Sequence, residues 1–502
     1  MNAIFLNGIA GFGNGRGNNL SRSIGPYKVA HWLRQNGYTA QVIDFVNFLP
    51  EEVLYKATKH FITSETKIIG LSTTFFAWQA YLHSDGKRYR YPENILNVLK
   101  RIKLEFPNIK IVTGGYQADT MPGYGIIDAS IMNYKEATEE VFLEYLEHLI
   151  HDYPPPESIE CSWDEFKRPV FSKASKTLFN IEKDNFKFVK QDCILPGEPL
   201  PLDISRGCIF ACRFCQYPHL GKKKYDYVRG MEYLEDELVH NYKEFGTTSY
   251  YLLDDTFNDT EQKIQEFHKM VKSLPFEISY VGYLRCDLIH RFPDTAYLLQ
   301  DSGLFGAFFG LESLHPEASK IVGKAWSGKY AREYVPELYH NVWNKKIPVH
   351  TNFIVGITHD TKENIFSTVD WFIDNDLHSM MFDRLGLYGE KDQRFFAIKS
   401  EFDRNSSKYG YTILNPISGS AFPDWKNDNW TRETATTIAN EANKIVEQHR
   451  KIITWGVPAM MWYGATKEEI LNFKINDYPK IADRVLKTED LLKKYVQMLL
   501  SI

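Results

Sequence analysis

The stretch CIFACRFC, residues 208–215, is the most informative part of this chain. It places the thiols of Cys208, Cys212 and Cys215 close together in the sequence. A [4Fe-4S] cluster normally takes four cysteine thiolates, so three leave one iron atom open. The spacing therefore predicts an iron–sulfur cluster whose open iron can bind a small molecule through an amine and a carboxylate.

The aromatic residue before the last cysteine, Phe214, strengthens this interpretation. With it, the stretch resembles the hallmark of the radical S-adenosylmethionine (radical SAM) superfamily. The resemblance implies that S-adenosylmethionine (SAM) binds the open iron and is cleaved reductively to a 5′-deoxyadenosyl radical. It also implies that a reductant such as flavodoxin or ferredoxin is a partner.

The same cysteines permit two other functions. His219 follows Cys215, and three cysteines with one histidine can form a structural zinc site. A non-catalytic zinc-binding scaffold is therefore an alternative. An electron-transfer protein is disfavoured, because the sequence has no second cysteine cluster to relay electrons. Three further cysteines are expected to be ordinary thiols: Cys161, Cys193 and Cys286.

Composition is that of an ordinary globular protein, with 502 residues, 43% hydrophobic and 25% charged. The net charge of −5 gives no general signal for nucleic acid binding. No apolar run predicts a membrane span, and the first residues lack the basic region of a signal peptide. Few cysteines for this length argue against a disulfide framework, so we expect a cytoplasmic protein.

Residues 1–150 alternate short apolar runs with helical patterns, which predicts a doubly wound, Rossmann-like parallel sheet. A segment with a run of three prolines follows, and we expect residues 151–199 to be a connector. Residues 391–502 are rich in helical patterns and are expected to form a helical cap over the mouth of the preceding domain.

Residues 200–390 repeat a strand-then-helix pattern six times, which predicts a partial (β/α)6 barrel of the TIM type. This is also the fold that the resemblance implies. The α/β class is therefore expected for both large domains. The predicted strands are Leu202–Ser205, Ser249–Leu253, Glu277–Leu284, Phe305–Leu311, Val349–Val355 and Met380–Leu387.

Polar residues and glycines follow the predicted barrel strands, where active sites of such barrels lie. The strand ends resemble those of the cobalamin-associated branch of radical SAM enzymes. The resemblance implies that Arg285 binds the SAM carboxylate and that Asp254 and Glu312 accept hydrogen bonds from its amino group or ribose. Four further cofactor contacts are expected at Phe214, Gly310, Asn352 and Gly356. No catalytic acid or base is predicted.

The first domain resembles the cobalamin-binding domain of the same branch. This resemblance rests on small residues after two predicted strands: Ser72, Thr73, Gly114 and Gly115. The loop at residues 8–17 lacks the histidine that donates an imidazole to cobalt in some members, and its glycines match a dinucleotide site only incompletely. We expect either radical methylation with cobalamin or, with a vestigial cobalamin domain, a different reaction such as cyclisation or rearrangement.

Overall fold

The computed structural model contains two large, mainly parallel sheets and one short hairpin. Helices flank both sheets, which confirms the predicted α/β class. The structure describes residues 1–8, 20–72, 92–115, 118, 125–131, 138–152, 159–163, 167–173, 181–216, 221–222, 224–324, 328–387, 399–414, 423–451, 454–472 and 481–502.

The first sheet has seven strands in the order β2-β1-β3-β4-β5-β7-β6. All its neighbours pair in parallel except β6 and β7. Its strands are β1 (Ala3–Leu6), β2 (Ala40–Ile43), β3 (Ile68–Ser72), β4 (Lys110–Gly114), β5 (Ala129–Ile131), β6 (Ile159–Trp163) and β7 (Pro169–Lys173). Its helices are Ile24–Gln35, Glu51–Phe61, Glu93–Glu105 and Thr138–His151.

Strands β6 and β7 lie within the segment predicted to be a connector, 151–199. They pair with each other, and β7 also pairs with β5, where Ile131 lies opposite Phe171. The side chains of Val170 and Phe171 are buried, so this hairpin contributes to the core. The predicted connector thus includes two strands of the first sheet, which its poorly periodic sequence beside a run of prolines did not indicate.

The second sheet has six parallel strands that follow one another in sequence order, as a partial barrel requires. They are β8 (Leu200–Asp203), β9 (Ser249–Leu253), β10 (Ser279–Leu284), β11 (Leu304–Glu312), β12 (Val349–Val355) and β13 (Ser379–Arg384). The helices around it are Met231–Phe245, Glu261–Ser273, Cys286–Arg291, Asp294–Asp301, Pro316–Ile321, Gly328–Glu337 and Lys362–Asp374.

The C-terminal segment is helical but does not act only as a cap. Its elements are the helices Glu401–Arg404, Arg432–His449, Val457–Trp462, Lys467–Asn472 and Ile481–Leu499, with the hairpin β14 (Thr412–Leu414) and β15 (Asp424–Lys426). The short helix Glu401–Arg404 reaches the cysteine loop, where Phe402 N donates to Arg213 O at 2.9 Å.

Two other helices of this segment pack away from the cysteine loop, so the segment does more than the predicted cap would. Val457 and Met460 pack against Tyr251 and Val281, near the amino ends of the barrel strands. The last helix places Tyr495 in the core of the first sheet. An apolar helix face predicts burial but not the partner, so the sequence could not show this. No helix among the described residues is long and apolar enough to cross a membrane.

Buried ion pairs join the first domain to both ends of β8, the strand before the cysteine loop. Lys28, in the first helix, pairs with Asp203 at the carboxyl end of β8. Arg22 pairs with Glu198 just before β8, with 2.6 Å between Nε and Oε1. Removing one partner of a buried pair leaves an uncompensated charge. The start of the barrel is therefore fixed relative to the first sheet.

Candidate cluster and cofactor site

The three cysteines lie in one loop at the carboxyl end of β8, as predicted. Cys208 is buried, with Sγ 3.5 Å from Oγ1 of Thr256, while Cys212 and Cys215 are partly exposed. Backbone hydrogen bonds hold the loop: Lys222 N donates to Cys208 O at 3.1 Å. The thiols therefore lie at the mouth of the barrel on a fixed backbone.

The three thiols of the loop do not need to surround one metal ion in order to bind a cluster. Among the described residues, no three His, Cys, Asp or Glu side chains gather around one metal ion position. A cubane cluster needs no such gathering, because each cysteine binds a different iron atom. His219, the candidate fourth zinc ligand, lies outside the described residues. Burial raises the pKa of the Cys208 thiol, so bound metal is what would remove its proton.

Arg285 lies directly against the cysteine loop. Its Nη1 donates to Sγ of Cys212 at 3.7 Å, and its guanidinium lies 4.0 Å from the ring centre of Phe210. Asp287 accepts from Nε at 3.0 Å and from Nη2 at 2.7 Å. Burial alone would lower the pKa of Arg285, but Asp287 keeps it above its ordinary value. The guanidinium is thus a fixed cation beside the cluster position.

The carboxylate of Asp254 is bound by other groups of the protein. Its Oδ2 pairs with Nζ of Lys263 at 3.0 Å, and its Oδ1 accepts from the backbone N–H of Thr256 at 2.9 Å. Lys263 also pairs with Asp259 at 2.7 Å, and all three side chains are fully buried. Burial would lower the pKa of Lys263, but the two carboxylates raise it overall. Asp254 therefore stabilises the loop after β9, and its contact with SAM stays a prediction.

Glu312 ends β11 in a strained conformation. Its φ is +65°, in the left-handed region that non-glycine residues rarely adopt. Lys324 Nζ donates to Oε1 of Glu312 at 2.8 Å and also to the carbonyl oxygen of Gly310. A Cβ on Gly310 would lie 2.6 Å from Oε1 of Glu312, so the glycine makes room for this carboxylate. The pair lies at the barrel mouth, where its contact with SAM remains a prediction.

The last two predicted barrel positions have partners that the sequence did not reveal. Asn352 Nδ2 donates to Oδ2 of Asp383 at 3.0 Å. A Cβ on Gly356, which has a φ of +111°, would lie 2.4 Å from the ring of Trp425. Gly356 is thus required by packing, whatever its role toward a nucleoside. Phe214 is half-buried and packs against the main core.

Asp383 is a candidate that sequence reasoning missed. It follows the apolar run Met380–Phe382 near the end of β13, and a carboxylate directly after an apolar strand run was the available signal. Lys263 and Lys324 were also missed, because their roles depend on carboxylates in other elements.

The candidate cobalamin residues share the carboxyl edge of the first sheet. Ser72, the last residue of β3, lies opposite Gly114, the last residue of β4. Gly115 follows with a φ of +109°. Thr73 lies outside the described residues. The structure therefore brings together three of the four positions predicted at this edge.

The chain is similar to a known family and to two curated methyltransferases. Residues 202–372 match the family model described as the radical SAM superfamily. An uncharacterized methyltransferase of Pyrococcus horikoshii is 24% identical over 217 residues, which is 42% of this chain and 45% of the relative. The bacteriochlorophyllide d C-12(1)-methyltransferase of Chlorobaculum tepidum is 22% identical over 240 residues, 45% of this chain and 51% of the relative. The chain thus spans about half the length of these relatives.

Solved structures share the fold over most of the chain. The radical SAM methyltransferase TsrM from Kitasatospora setae, with cobalamin and a [4Fe-4S] cluster bound, has a TM-score of 0.62 at 12% identity, covering 97% of this chain and 99% of TsrM. The cobalamin-dependent radical SAM enzyme OxsB, with aqua-cobalamin bound, has a TM-score of 0.59 at 16% identity, covering 98% and 75%. The family match favours an enzyme over a zinc-binding scaffold. Residues 202–372 therefore form a radical SAM domain, in a chain that shares its fold with TsrM and OxsB.

Proposed function

We propose that this enzyme binds a [4Fe-4S] cluster and SAM at the barrel mouth and cobalamin at the edge of the first sheet, and that it methylates a carbon atom. The observation that carries the proposal is the cysteine loop at the carboxyl end of β8, in a six-stranded parallel barrel. Two curated relatives named as methyltransferases support the reaction class, and the cobalamin in TsrM and OxsB supports the second cofactor.

The chain's own residues would divide the work as follows. The bound cluster would supply the electron that cleaves SAM. Cys208, Cys212 and Cys215 would hold the cluster. Arg285 has N–H groups beyond those that bind Asp287 and Cys212, and these can bind a carboxylate. The backbone at Ser72 and Gly114 would let a flat macrocycle approach the edge of the first sheet.

A second reaction class is favoured by one observation on the sequence. The loop at residues 8–17 contains no histidine, so it offers no imidazole to cobalt. If cobalamin does not bind, we propose a radical cyclisation or rearrangement, with the first domain as a vestige. Methylation requires that the protein retain cobalamin, whereas the second reaction class does not.

A bulky side chain at Gly114 tests the cobalamin site. Among the described residues, a Cβ there would come within 4 Å of Ile131 O alone, at the ordinary distance of 3.6 Å, so we expect Gly114→Leu to fold. Its side chain would occupy the proposed cofactor position and reduce cobalamin retention about tenfold, equivalent to about 1.4 kcal/mol. Retention is measured by absorbance after gel filtration of protein reconstituted with hydroxocobalamin. Gly25→Leu, at an exposed position of the same domain, is the control and should retain cobalamin. Equal retention by all three proteins would contradict this placement.

Arg285→Gln tests the SAM carboxylate site. We expect the cluster to assemble and SAM affinity to fall about tenfold or more, because hydrogen bonds between charged groups contribute about 1.5–3 kcal/mol. Iron analysis and SAM titration of the reconstituted protein measure the two effects separately. Arg291→Gln, on the exposed end of the next helix, should change neither. Loss of iron in Arg285→Gln would show instead that the arginine mainly supports the cysteine loop.

A further inference from the structure

The inner surface of the barrel carries a row of ring side chains. Tyr283 lies opposite Phe308, and Phe308 lies opposite His350, so the three occupy one level of strands β10, β11 and β12. Their ring centres are 4.7 and 4.6 Å apart. Trp455 lies below this row, 4.9 Å from the ring of Tyr283. The inner surface therefore has an aromatic floor.

One level higher, the inner surface becomes polar and open. Gly310 lies opposite Asn352, and Asn352 opposite Met381; the carboxylate of Glu312 fills the space beside Gly310, and the exposed part of this level lies toward β13. The amide donates to Asp383 on the neighbouring strand at 3.0 Å. Asp383 is exposed although Phe382, on the other face of β13, is buried. A solvent-accessible carboxylate thus faces the space above the aromatic floor.

The negative charge of Asp383 is less well compensated than that of its neighbour Glu312. Glu312 pairs with Lys324, whereas no ion pair to Asp383 occurs among the described residues. Arg384 is next in sequence and therefore lies on the other face of the strand. Asp383 is reached by solvent but lies inside the barrel with protein around it, and this partial desolvation raises its pKa; the hydrogen bond from Asn352 opposes the rise, the charge of Glu312 adds to it, and Arg384 opposes it. A cation placed beside Asp383 would stabilise its charged form.

His350 places a second polar side chain on the inner surface of the barrel. It is fully buried, and its Nδ1 lies 2.9 Å from Oγ of Ser379. Its Nε2 has no hydrogen-bond partner among the described residues. Burial lowers the pKa of His350 to about 3, so the ring is neutral and adds no competing positive charge.

We propose that Tyr283, Phe308, Asn352 and Asp383 form a substrate site, the lumen site, that takes a planar apolar group bearing an organic ammonium. The rings would pack against the apolar part, and Asp383, oriented by Asn352, would pair with the nitrogen. The lumen site rests on the proposed function, because it lies on the inner surface of the barrel below the cluster position. It names the substrate class that the sequence left open.

The test compares two probes of similar shape and opposite charge, 2-phenylethylammonium and 3-phenylpropanoate. Each is titrated by calorimetry into the anaerobically reconstituted enzyme with SAM. We expect the ammonium to bind more tightly than the carboxylate, and Asp383→Asn to weaken the ammonium about tenfold, since 1.4 kcal/mol corresponds to that factor. Asp383→Glu, which keeps the charge, should bind more tightly than Asp383→Asn. Asp301→Asn, on an exposed outer helix, should match the wild type.

Equal ammonium affinity in the wild type and Asp383→Asn, or a preference for the carboxylate, would overturn the lumen site. Thermal unfolding and iron content of each variant show whether its fold is intact, and Asp383→Glu keeps the test valid if the asparagine variant is unstable. The 5′-deoxyadenosine formed by the same wild-type samples tests the proposed function separately. If deoxyadenosine forms but ammonium binding does not depend on Asp383, only the lumen site is rejected. If ammonium binding depends on Asp383 but no deoxyadenosine forms, only the radical reaction is rejected.

Discussion

The variant Cys212→Ala is expected to lose both the cluster and SAM cleavage. The wild type should hold about four irons per chain after anaerobic reconstitution, because a cubane contains four. With two cysteines left, a second iron loses its thiolate, and the cluster should fall to a small fraction of the wild-type content. Without it no electron reaches SAM. Iron and sulfide analysis, and chromatography of 5′-deoxyadenosine, measure the two losses.

Cys161→Ala is the matched control for this prediction. Cys161 is exposed in β6 of the first sheet and lies outside the cysteine loop. Its replacement should leave iron content and deoxyadenosine formation unchanged. Continued cleavage of SAM by Cys212→Ala would contradict the assignment of the cluster to this loop.

Lys263→Ala is expected to destabilise the barrel strongly. Lys263 is fully buried between Asp254 and Asp259, and its removal leaves two buried carboxylates without their cation. Breaking a buried ion pair costs about 3–5 kcal/mol. For a domain of this size, that corresponds to a fall of about 6–20 °C in the midpoint of thermal unfolding. Circular dichroism measured during heating tests this.

Lys272→Ala controls for the loss of a lysine on the same helix. Lys272 is half exposed and pairs with Asp301 at 3.2 Å, and exposed pairs contribute little to stability. Its unfolding midpoint should stay close to that of the wild type. If Lys263→Ala were as stable as Lys272→Ala, the buried network would not hold the loop after β9, and Asp254 would be available to a cofactor.

Much of the barrel could be predicted from the sequence because short strand-like runs alternate regularly with helical patterns over residues 200–390. Ser249–Leu253 and Val349–Val355 were predicted with the bounds that the structure has. Strands β6 and β7 were missed because they are short and lie beside a proline-rich run. The positions of the C-terminal helices were missed because periodicity shows that a face is buried but not what covers it.

The position of the candidate site could be predicted from the sequence, but the ion-pair partners of its residues could not. Parallel strands bring their carboxyl ends together, so Arg285 was expected at the mouth, and it lies 3.7 Å from Cys212. The partners of Asp254 and Glu312 are lysines on later elements, and only the folded chain brings them near. Asp383 was missed because the last barrel strand was predicted to run to Leu387, which placed Asp383 inside the strand, whereas β13 ends at Arg384.

Anaerobic reconstitution followed by reduction in the presence of SAM tests the central claim most directly. We expect about four irons per chain and formation of 5′-deoxyadenosine that depends on the reductant. Parallel samples with hydroxocobalamin show whether the second cofactor is retained. A protein that binds no iron and forms no 5′-deoxyadenosine under these conditions would contradict the assignment of the chain as a radical SAM enzyme.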